Sequence, residues 1–259
     1  MQEFILPENL SKISNGYTWR RITIGHSESK TYLLTGTSVN LYLKIQSLTA
    51  IESLLNEKNR LEWLQGKLSV PEVLYYGKDY TNEYLLITEI AGVNASDKSF
   101  EMTSSAIMKQ LAAGLREVHE VKIDNCPFNQ RLESKIEEAR KRVQNKLVDE
   151  EDFDQIRLGL SPEDLLKELL FKRPMMEDLV FTHGDYCLPN IIIDNDRFSG
   201  VIDWGRAGIA DRYQDLALAA RSITYNFGKK HVQHFLDEYG IKELDESKIY
   251  FYQLLDEFF

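Results

Sequence analysis

The spacing of apolar residues changes once along this chain of 259 residues, close to Glu89, and that change constrains the fold more than any other feature. Before it, short segments rich in β-branched and aromatic residues are separated by turns, which is typical of strands. The predicted strands cover residues 19–24, 31–35, 40–45, 73–76 and 83–88. Residues 49–64 interrupt them with the spacing of a helix, since Ile51, Leu54, Leu55, Leu61 and Leu64 line one face.

Helical spacing dominates the rest of the chain. Ile107, Leu111, Leu115 and Val118 recur every three or four residues and predict a buried helical stripe. Further helices are predicted at residues 132–146, 162–171, 213–225, 231–239 and 246–258, with a short β insertion at 180–182, 191–193 and 199–202. We therefore expect two lobes, a small sheet lobe with one inserted helix over residues 1–91 and a larger, mainly helical lobe over residues 92–259.

Composition excludes several classes of protein. The formal net charge of −10 disfavours nucleic acid as the main partner. Cys126 and Cys187 fit neither a disulfide framework nor a zinc site, which favours a reducing compartment. The start, Met1-Gln2-Glu3, lacks the features of a signal peptide, and no apolar run approaches the roughly 18 residues of a membrane span. We expect a cytoplasmic protein that does not bind a membrane.

One segment carries chemistry: His183-Gly184-Asp185, then Asn190 five residues after the aspartate, and Asp203 beyond an apolar strand. Phosphoryl transfer from a nucleotide needs a carboxylate that orients a hydroxyl and accepts its proton, together with oxygen ligands for Mg²⁺. Asp185 suits the first role, and Asn190 and Asp203 suit the second. Each piece alone is weak, but the three at this spacing point to a kinase.

The strand-rich half supplies a second set of candidates. Lys44 ends the strand Leu41-Tyr42-Leu43-Lys44, and Glu57 follows on the inserted helix. An ion pair between them is suited to aim the ammonium at nucleotide phosphates. Residues 25–30 are then expected to form a turn over the phosphates, with main-chain N–H groups and the Ser27 hydroxyl facing the nucleotide.

These residues, with further segments, carry a close resemblance to a known family that spans nearly the whole chain. The segments are Asn40–Lys44, Val70-Pro71-Glu72-Val73-Leu74, Thr182–Asp185, Cys187-Leu188-Pro189-Asn190, Asp211-Arg212-Tyr213-Gln214-Asp215-Leu216-Ala217 and Leu254-Leu255-Asp256-Glu257-Phe258-Phe259. The chain resembles the aminoglycoside 3′-phosphotransferases of the neomycin and kanamycin kinase type. This implies an α+β, bilobal protein-kinase-like fold with an antiparallel N-terminal sheet, and transfer of the ATP γ-phosphate to the 3′-hydroxyl of an aminoglycoside antibiotic, conferring resistance.

The resemblance also implies individual roles on the nucleotide side. Asp185 is similar to the catalytic base, Asn190 and Asp203 to the Mg²⁺ ligands, and Lys44 with Glu57 to the phosphate-orienting pair. Tyr42 resembles an adenine-stacking aromatic residue, and the main chain from Thr88 to Ile90 is expected to bond the adenine edge. His183 is expected to be structural, and Trp204 and Gly205 to support Asp203.

The distribution of acidic residues indicates where the substrate binds, because a polycationic drug needs several carboxylates whose fields add. The acids cluster at residues 149–154 and at residues 256–257, close to Phe259. By resemblance, the substrate-binding set is Asp152, Asp154, Arg206, Arg221, Asp256, Glu257 and Phe259, with the arginines orienting the carboxylates. Gln155 and Tyr225 depart from the family pattern by removing negative charge, which bears on which aminoglycosides bind. We expect a monomer.

Three alternatives remain open at this point. A related small-molecule kinase for choline, homoserine or a macrolide keeps the kinase motifs but lacks an acidic C-terminal cap. A non-catalytic kinase-like binding protein usually loses the base, a metal ligand or the lysine, all of which are present here. A protein kinase needs a longer activation segment than the few residues between Gly205 and the helix that begins near Asp211.

Overall fold

The computed structural model describes residues 6–23, 29–36 and 39–259, with the side chains of residues 101–104 excepted. The chain divides into two compact units. The first comprises residues 1–91 and 201–205, and the second comprises residues 92–200 and 206–259. The predicted α+β fold class is confirmed, with an antiparallel sheet in the first unit and mostly helices in the second.

The described part of the first unit is a five-stranded sheet with two helices. Its elements are α1 (Glu8–Ile13), β1 (Thr18–Ile22), β2 (Lys30–Thr35), β3 (Leu41–Ser47), α2 (Leu54–Leu64), β4 (Val73–Lys78) and β5 (Asn82–Thr88). The strand order is β1-β2-β3-β5-β4, and every neighbouring pair is antiparallel. The sequence pattern predicts all five strands to within a few residues but does not predict α1.

Strand β3 gives the sheet two chemically different faces. Leu41, Leu43 and Ile45 are buried in a core cluster with residues of β2, β5 and α1. Because side chains alternate along a strand, Tyr42 and Lys44 lie on the opposite face. The alternation thus puts two predicted nucleotide-binding residues on the same face of the sheet.

Helix α2 begins later than predicted, and Ile51 is not part of its buried stripe. Ser53 caps the helix, because its hydroxyl accepts a hydrogen bond from the Leu55 N–H at 3.2 Å. The Glu83 carboxylate holds that cap by accepting from the Ser53 hydroxyl and from the Leu54 N–H, at 2.8 and 2.7 Å. Ile51 precedes the cap and is 43% exposed, so its helical spacing is coincidental.

The second unit contains α3 (Ser104–His119), α4 (Leu132–Gln144), α5 (Pro162–Phe171), α6 (Tyr213–Phe227), α7 (Lys230–Tyr239) and α8 (Glu246–Asp256). Its strands are β6 (Val93–Asn94), β7 (Leu179–Thr182), β8 (Ile191–Asp194), β9 (Arg197–Val201, whose last residue groups with the first unit) and β10 (Gly208–Asp211). Strand β7 pairs with β10, which the sequence pattern does not predict, and β8 lies between β6 and β9. The predicted stripe on α3 is confirmed, since Ile107, Leu111, Leu115 and Val118 are at most 1% exposed.

Candidate active site

Lys44 on β3 and Glu57 in the first turn of α2 form an ion pair inside the first unit. The Lys44 Nζ lies 2.9 and 2.7 Å from the two carboxylate oxygens of Glu57. Their side chains are only 12% and 6% exposed. The dipole of α2 also favours a negative charge in its first turn. The structure thus brings together the two residues that the sequence analysis pairs.

Asp203, in the segment 201–205, joins this pair by accepting a hydrogen bond from the Lys44 Nζ. Its backbone is left-handed, with φ of 65°, a conformation that is uncommon for residues other than glycine and that clusters at functional sites. Burial alone lowers the pKa of the Lys44 ammonium, but the charges of Asp203 and Glu57 outweigh that effect and raise the pKa above its usual value. Lys44 therefore stays cationic at physiological pH, which the phosphate-binding role predicted for it requires.

Asp185 and Asn190 meet in the second unit, in the loop between β7 and β8. Asn190 ends a short 3₁₀ turn, Leu188–Asn190, and its Nδ2 donates to the Asp185 Oδ2 at 2.8 Å and to the Asp185 main-chain oxygen at 3.1 Å. Among the described residues, the Asn190 Oδ1 accepts no hydrogen bond. An amide oxygen held in this way is available to a hard cation.

The environment of Asp185 suits a proton acceptor. Burial raises the pKa of the Asp185 carboxyl, and the neighbouring charge of Asp256 raises it further, whereas Arg206 and His183 lower it. General bases work best when their pKa is not far below the ambient pH. The His183 ring accepts the Asp185 N–H at its Nδ1, at 3.3 Å, so it contacts the main chain of the candidate base.

Asp215 on α6 anchors this loop, a role that the sequence analysis does not assign. Its carboxylate is fully buried and accepts the main-chain N–H groups of His183 and Gly184, at 2.7 and 2.8 Å. The Nε2 of His119, at the end of α3, lies 3.0 Å from the same carboxylate. The local signal for such a role in the sequence is slight: Asp215 is a single acid directly before the apolar run 216–220 on α6.

Gly184 has no side chain because the loop has no room for one. Its φ is 86°, and a Cβ at this position would lie 2.3 Å from the main-chain oxygen of Arg206. The glycine lets the loop pass directly against the main chain of Arg206, which ends a 3₁₀ turn just before β10.

The residues expected around the adenine are only partly available for it. Tyr42 is half-buried on β3. The Thr88 N–H donates to the Glu72 oxygen at 3.0 Å, and the Glu89 N–H donates to the Asn40 oxygen at 3.1 Å, so both donors are already used. The main chain of Ile90 has no hydrogen bond to any residue that the structure describes. Ser27 lies outside the described residues.

Asp256, at the end of α8, is flanked by the two arginines predicted for the substrate side. Its Oδ2 accepts a hydrogen bond from the Arg221 Nη2, and its Oδ1 lies 3.9 Å from the Arg206 Nη1. Arg206 also donates from Nη2 to the Phe259 main-chain oxygen at 2.5 Å. The aromatic ring of Phe259 lies under the Lys135 ammonium, 3.2 Å from ring centroid to Nζ.

Asp154 and Glu257 form a second charged group, and their partner is an arginine that the sequence analysis does not assign. The Arg157 Nη1 donates to the Asp154 Oδ2 at 3.1 Å and to the Glu257 Oε1 at 2.9 Å. Arg221 links the two groups, since its Nη1 lies 3.4 Å from the same Asp154 oxygen. In the sequence, Arg157 is one more charged residue just after the acidic segment 149–154.

Asp152 is not brought into this network. It lies in the 3₁₀ turn Glu150–Asp152, where it is exposed, as are Asp149, Gln155 and Tyr225. Of the predicted substrate residues, the structure therefore gathers Asp154, Arg206, Arg221, Asp256, Glu257 and Phe259 and leaves Asp152 at the surface.

Two further properties bear on ligands. No helix in the described residues is both long enough and apolar enough to cross a membrane. Nor do residues 6–23, 29–36 and 39–259 contain three or more His, Cys, Asp or Glu side chains grouped to hold a metal ion. Mg²⁺ needs fewer, since it usually binds one or two protein ligands together with phosphates and waters. The Asn190 Oδ1 and the carboxylate of Asp203, whose side chain is 47% exposed, are donors of the kind that this ion prefers.

Comparison with known proteins gives a consistent result. A model of the phosphotransferase enzyme family, APH, matches residues 18–252. An aminoglycoside 3′-phosphotransferase of Niallia circulans is 42% identical over 84% of this chain and 83% of its own length. The crystal structure of an aminoglycoside 3′-phosphotransferase of type VIII superimposes with a TM-score of 0.86 at 35% identity, covering 97% of both chains.

A more distant structure carries ligands. It is an aminoglycoside phosphotransferase of Streptomyces rimosus in complex with ADP and streptomycin, with a TM-score of 0.81 and 26% identity, covering 96% of this chain and 95% of that one.

Proposed function

Because this chain belongs to the phosphotransferase enzyme family, and within it to the aminoglycoside 3′-phosphotransferases, we propose that it transfers the γ-phosphate of ATP to the 3′-hydroxyl of an aminoglycoside. The observation that carries the proposal is the Asp185–Asn190 pair, a partly buried carboxylate held by an amide whose oxygen is left for a cation. Phosphorylation of the drug then confers resistance.

The reaction moves one phosphoryl group and one proton. The acceptor hydroxyl oxygen forms a bond to the γ-phosphorus while the bond from that phosphorus to the β-γ bridging oxygen breaks, releasing ADP. Asp185 orients the hydroxyl and accepts its proton. Most of the rate enhancement in such a reaction comes from positioning and charge stabilisation.

Asn190 and Asp203 are the residues that would hold Mg²⁺. When bound, the ion supplies positive charge to the phosphate oxygens. Lys44 supplies a second positive charge. The Glu57 carboxylate holds the Lys44 ammonium in position, with 2.7 Å between the Lys44 Nζ and the Glu57 Oε2.

The nucleotide base is expected to stack on Tyr42 and to form hydrogen bonds with the main chain of Ile90. The N–H and C=O groups of Ile90 have no hydrogen-bond partner among the described residues, which supports this expectation. Thr88 then borders the base without donating to it, since its N–H bonds Glu72. Ser27 remains assigned to the phosphates.

The acceptor is a polycation, and its ammonium groups are proposed to bind Asp152, Asp154, Asp256, Glu257 and Phe259, with Arg206 and Arg221 orienting the carboxylates. Use of ATP implies a cytoplasmic enzyme. The net charge of −10 disfavours nucleic acid as a partner. We propose that a monomer suffices, since every residue assigned above belongs to one chain.

The experiment is kanamycin-dependent release of ADP from ATP with Mg²⁺. We expect turnover by the wild-type protein, loss of turnover in Asp185→Asn with nucleotide affinity retained, and no change in Asp196→Asn, an exposed control between β8 and β9. Turnover that responds to choline, homoserine or a macrolide but to no aminoglycoside would contradict the proposal, as would substantial activity in Asp185→Asn.

A further inference from the structure

Arg157 is a deeply buried charged side chain of the second unit, with only 2% of its side chain exposed. It follows the acidic segment 149–154 and precedes α5. The main-chain N–H of Arg157 donates to the main-chain oxygen of Asp154 at 2.7 Å. This tight turn directs the Arg157 side chain back toward Asp154.

One nitrogen of Arg157 connects two segments that are about one hundred residues apart. The Nη1 donates to Asp154 at 3.1 Å and to Glu257 at 2.9 Å. The second carboxylate oxygen of Glu257 accepts the Asp154 N–H at 2.9 Å. The Glu257 side chain is also 2% exposed, so this contact is shielded from solvent.

Packing against an aromatic ring also holds the guanidinium. It lies over the ring of Tyr250 on α8, 5.1 Å from the centroid, and the Tyr250 hydroxyl donates to Glu168 on α5 at 2.7 Å. The Nε and Nη2 of Arg157 are buried without a hydrogen-bond partner among the described residues. Two buried, unpaired donors cost stability, and an apolar side chain would avoid that cost. Its position is thus better explained by what it does to the two carboxylates.

We propose that Arg157 is a positioning residue for the acceptor site: tied to the buried Glu257 carboxylate, it holds the Asp154 carboxylate, whose side chain is 32% exposed, in place to receive an ammonium group of a polycationic substrate. This inference rests on the proposed function. Arg157 itself touches no reacting atom.

The charge of Arg157 has a second effect on the same pair. The pKa of the Glu257 carboxyl is raised to about 7, mainly by burial. The hydrogen bond from the Asp154 N–H lowers this pKa, the charge of Asp154 raises it, and the charge of Arg157 lowers it. Arg221 also faces Glu257, with its Nη1 4.0 Å from the Oε1. Removing Arg157 therefore raises the pKa of Glu257, so that Glu257 stays protonated to higher pH. The weakening of substrate binding at low pH then begins at a higher pH.

The test uses Arg157→Met, which keeps most of the side-chain volume, and Arg157→Lys, which keeps the charge. We expect Arg157→Met to raise the KM for kanamycin about tenfold or more, with kcat and the KM for ATP within about threefold of wild type. Its KM–pH profile shifts to higher pH, and Arg157→Lys restores part of the loss. Arg173→Met is the matched control, since it removes an arginine paired with Glu133 at the surface of the same unit.

Thermal unfolding of each variant and calorimetric titration of kanamycin without nucleotide separate binding from folding. A lower melting temperature with an unchanged KM for kanamycin would overturn the inference, and so would equal losses in kcat and in the KM for ATP. Failure of the wild-type protein to turn over any aminoglycoside would instead overturn the proposed function.

Discussion

The Asp215 carboxylate and the His119 imidazole are hydrogen bonded at 3.0 Å beneath the loop that carries the proposed base, and their side chains are 0% and 4% exposed. Asp215 uses the same carboxylate to accept the N–H groups of His183 and Gly184. Two helices, α3 and α6, are thereby connected to the main chain of the loop, and the position of Asp185 depends on a residue thirty positions away.

Replacing Asp215 by Asn is expected to lower kcat more than it raises either KM, because the amide cannot accept from all three donors and the loop loses its anchor. Loss of hydrogen bonds to a buried charge should reduce the free energy of unfolding by about 1–3 kcal/mol. Urea unfolding and steady-state kinetics measure both effects. Asp237→Asn, on the exposed side of α7, is the control. Unaltered kcat in Asp215→Asn would contradict the anchoring role.

Lys44→Met is expected to reduce kcat/KM for ATP by about a hundredfold, and Glu57→Gln by about tenfold, because Lys44 keeps Asp203 as a partner when Glu57 is neutral. The double variant should cost less than the sum of the two, since Glu57 acts through Lys44. Steady-state kinetics with ATP as the varied substrate measure this. Lys58→Met, which removes a surface pair with Glu62 on the same helix, should leave the ratio unchanged; additive losses would show that Glu57 acts independently.

Gly184→Ala is expected to impair both stability and turnover. The new Cβ would lie 2.3 Å from the Arg206 oxygen, and φ of 86° is unfavourable for any side chain. Gly66→Ala is a matched control, since its φ is 74° but nothing lies within 4 Å of the added Cβ. We expect about 1–2 kcal/mol of destabilisation in the control from backbone strain alone, and a larger loss in Gly184→Ala. Equal losses in urea unfolding would mean that the close approach to Arg206 has no cost.

Stability should depend on pH through Glu257. Burial raises its pKa in the folded protein from 4.5 to about 7, so between these values the folded state binds a proton that the unfolded state has released. Its contribution to stability is therefore complete below about pH 4.5 and is lost as the pH rises through 7. Glu257→Gln removes this dependence. Urea midpoints at pH 5, 6, 7 and 8 should fall less steeply with pH in the variant; parallel curves would argue that Glu257 is ionised throughout.

Local patterns predict the fold well where one short segment determines the outcome. Alternation along β3 separates Leu43 from Lys44, the α3 stripe buries Ile107 through Val118, and the five-residue spacing brings Asn190 to Asp185. Where a longer-range contact competes, the pattern fails. The apolar spacing predicts that Ile51 lies within α2, but the Ser53 cap and the distant Glu83 start the helix after it.

The order of residues along the chain is enough to identify the candidate carboxylate, amide and ammonium groups of this protein, because these are properties of residue type and short-range spacing. Which charges become partners depends instead on how the chain folds. Lys44 meets Asp203 across 159 positions, and Arg157 meets Glu257 across 100. A charged residue in a polar segment has the same local pattern whether solvent or a buried carboxylate surrounds it, and burial is what makes the pairing strong.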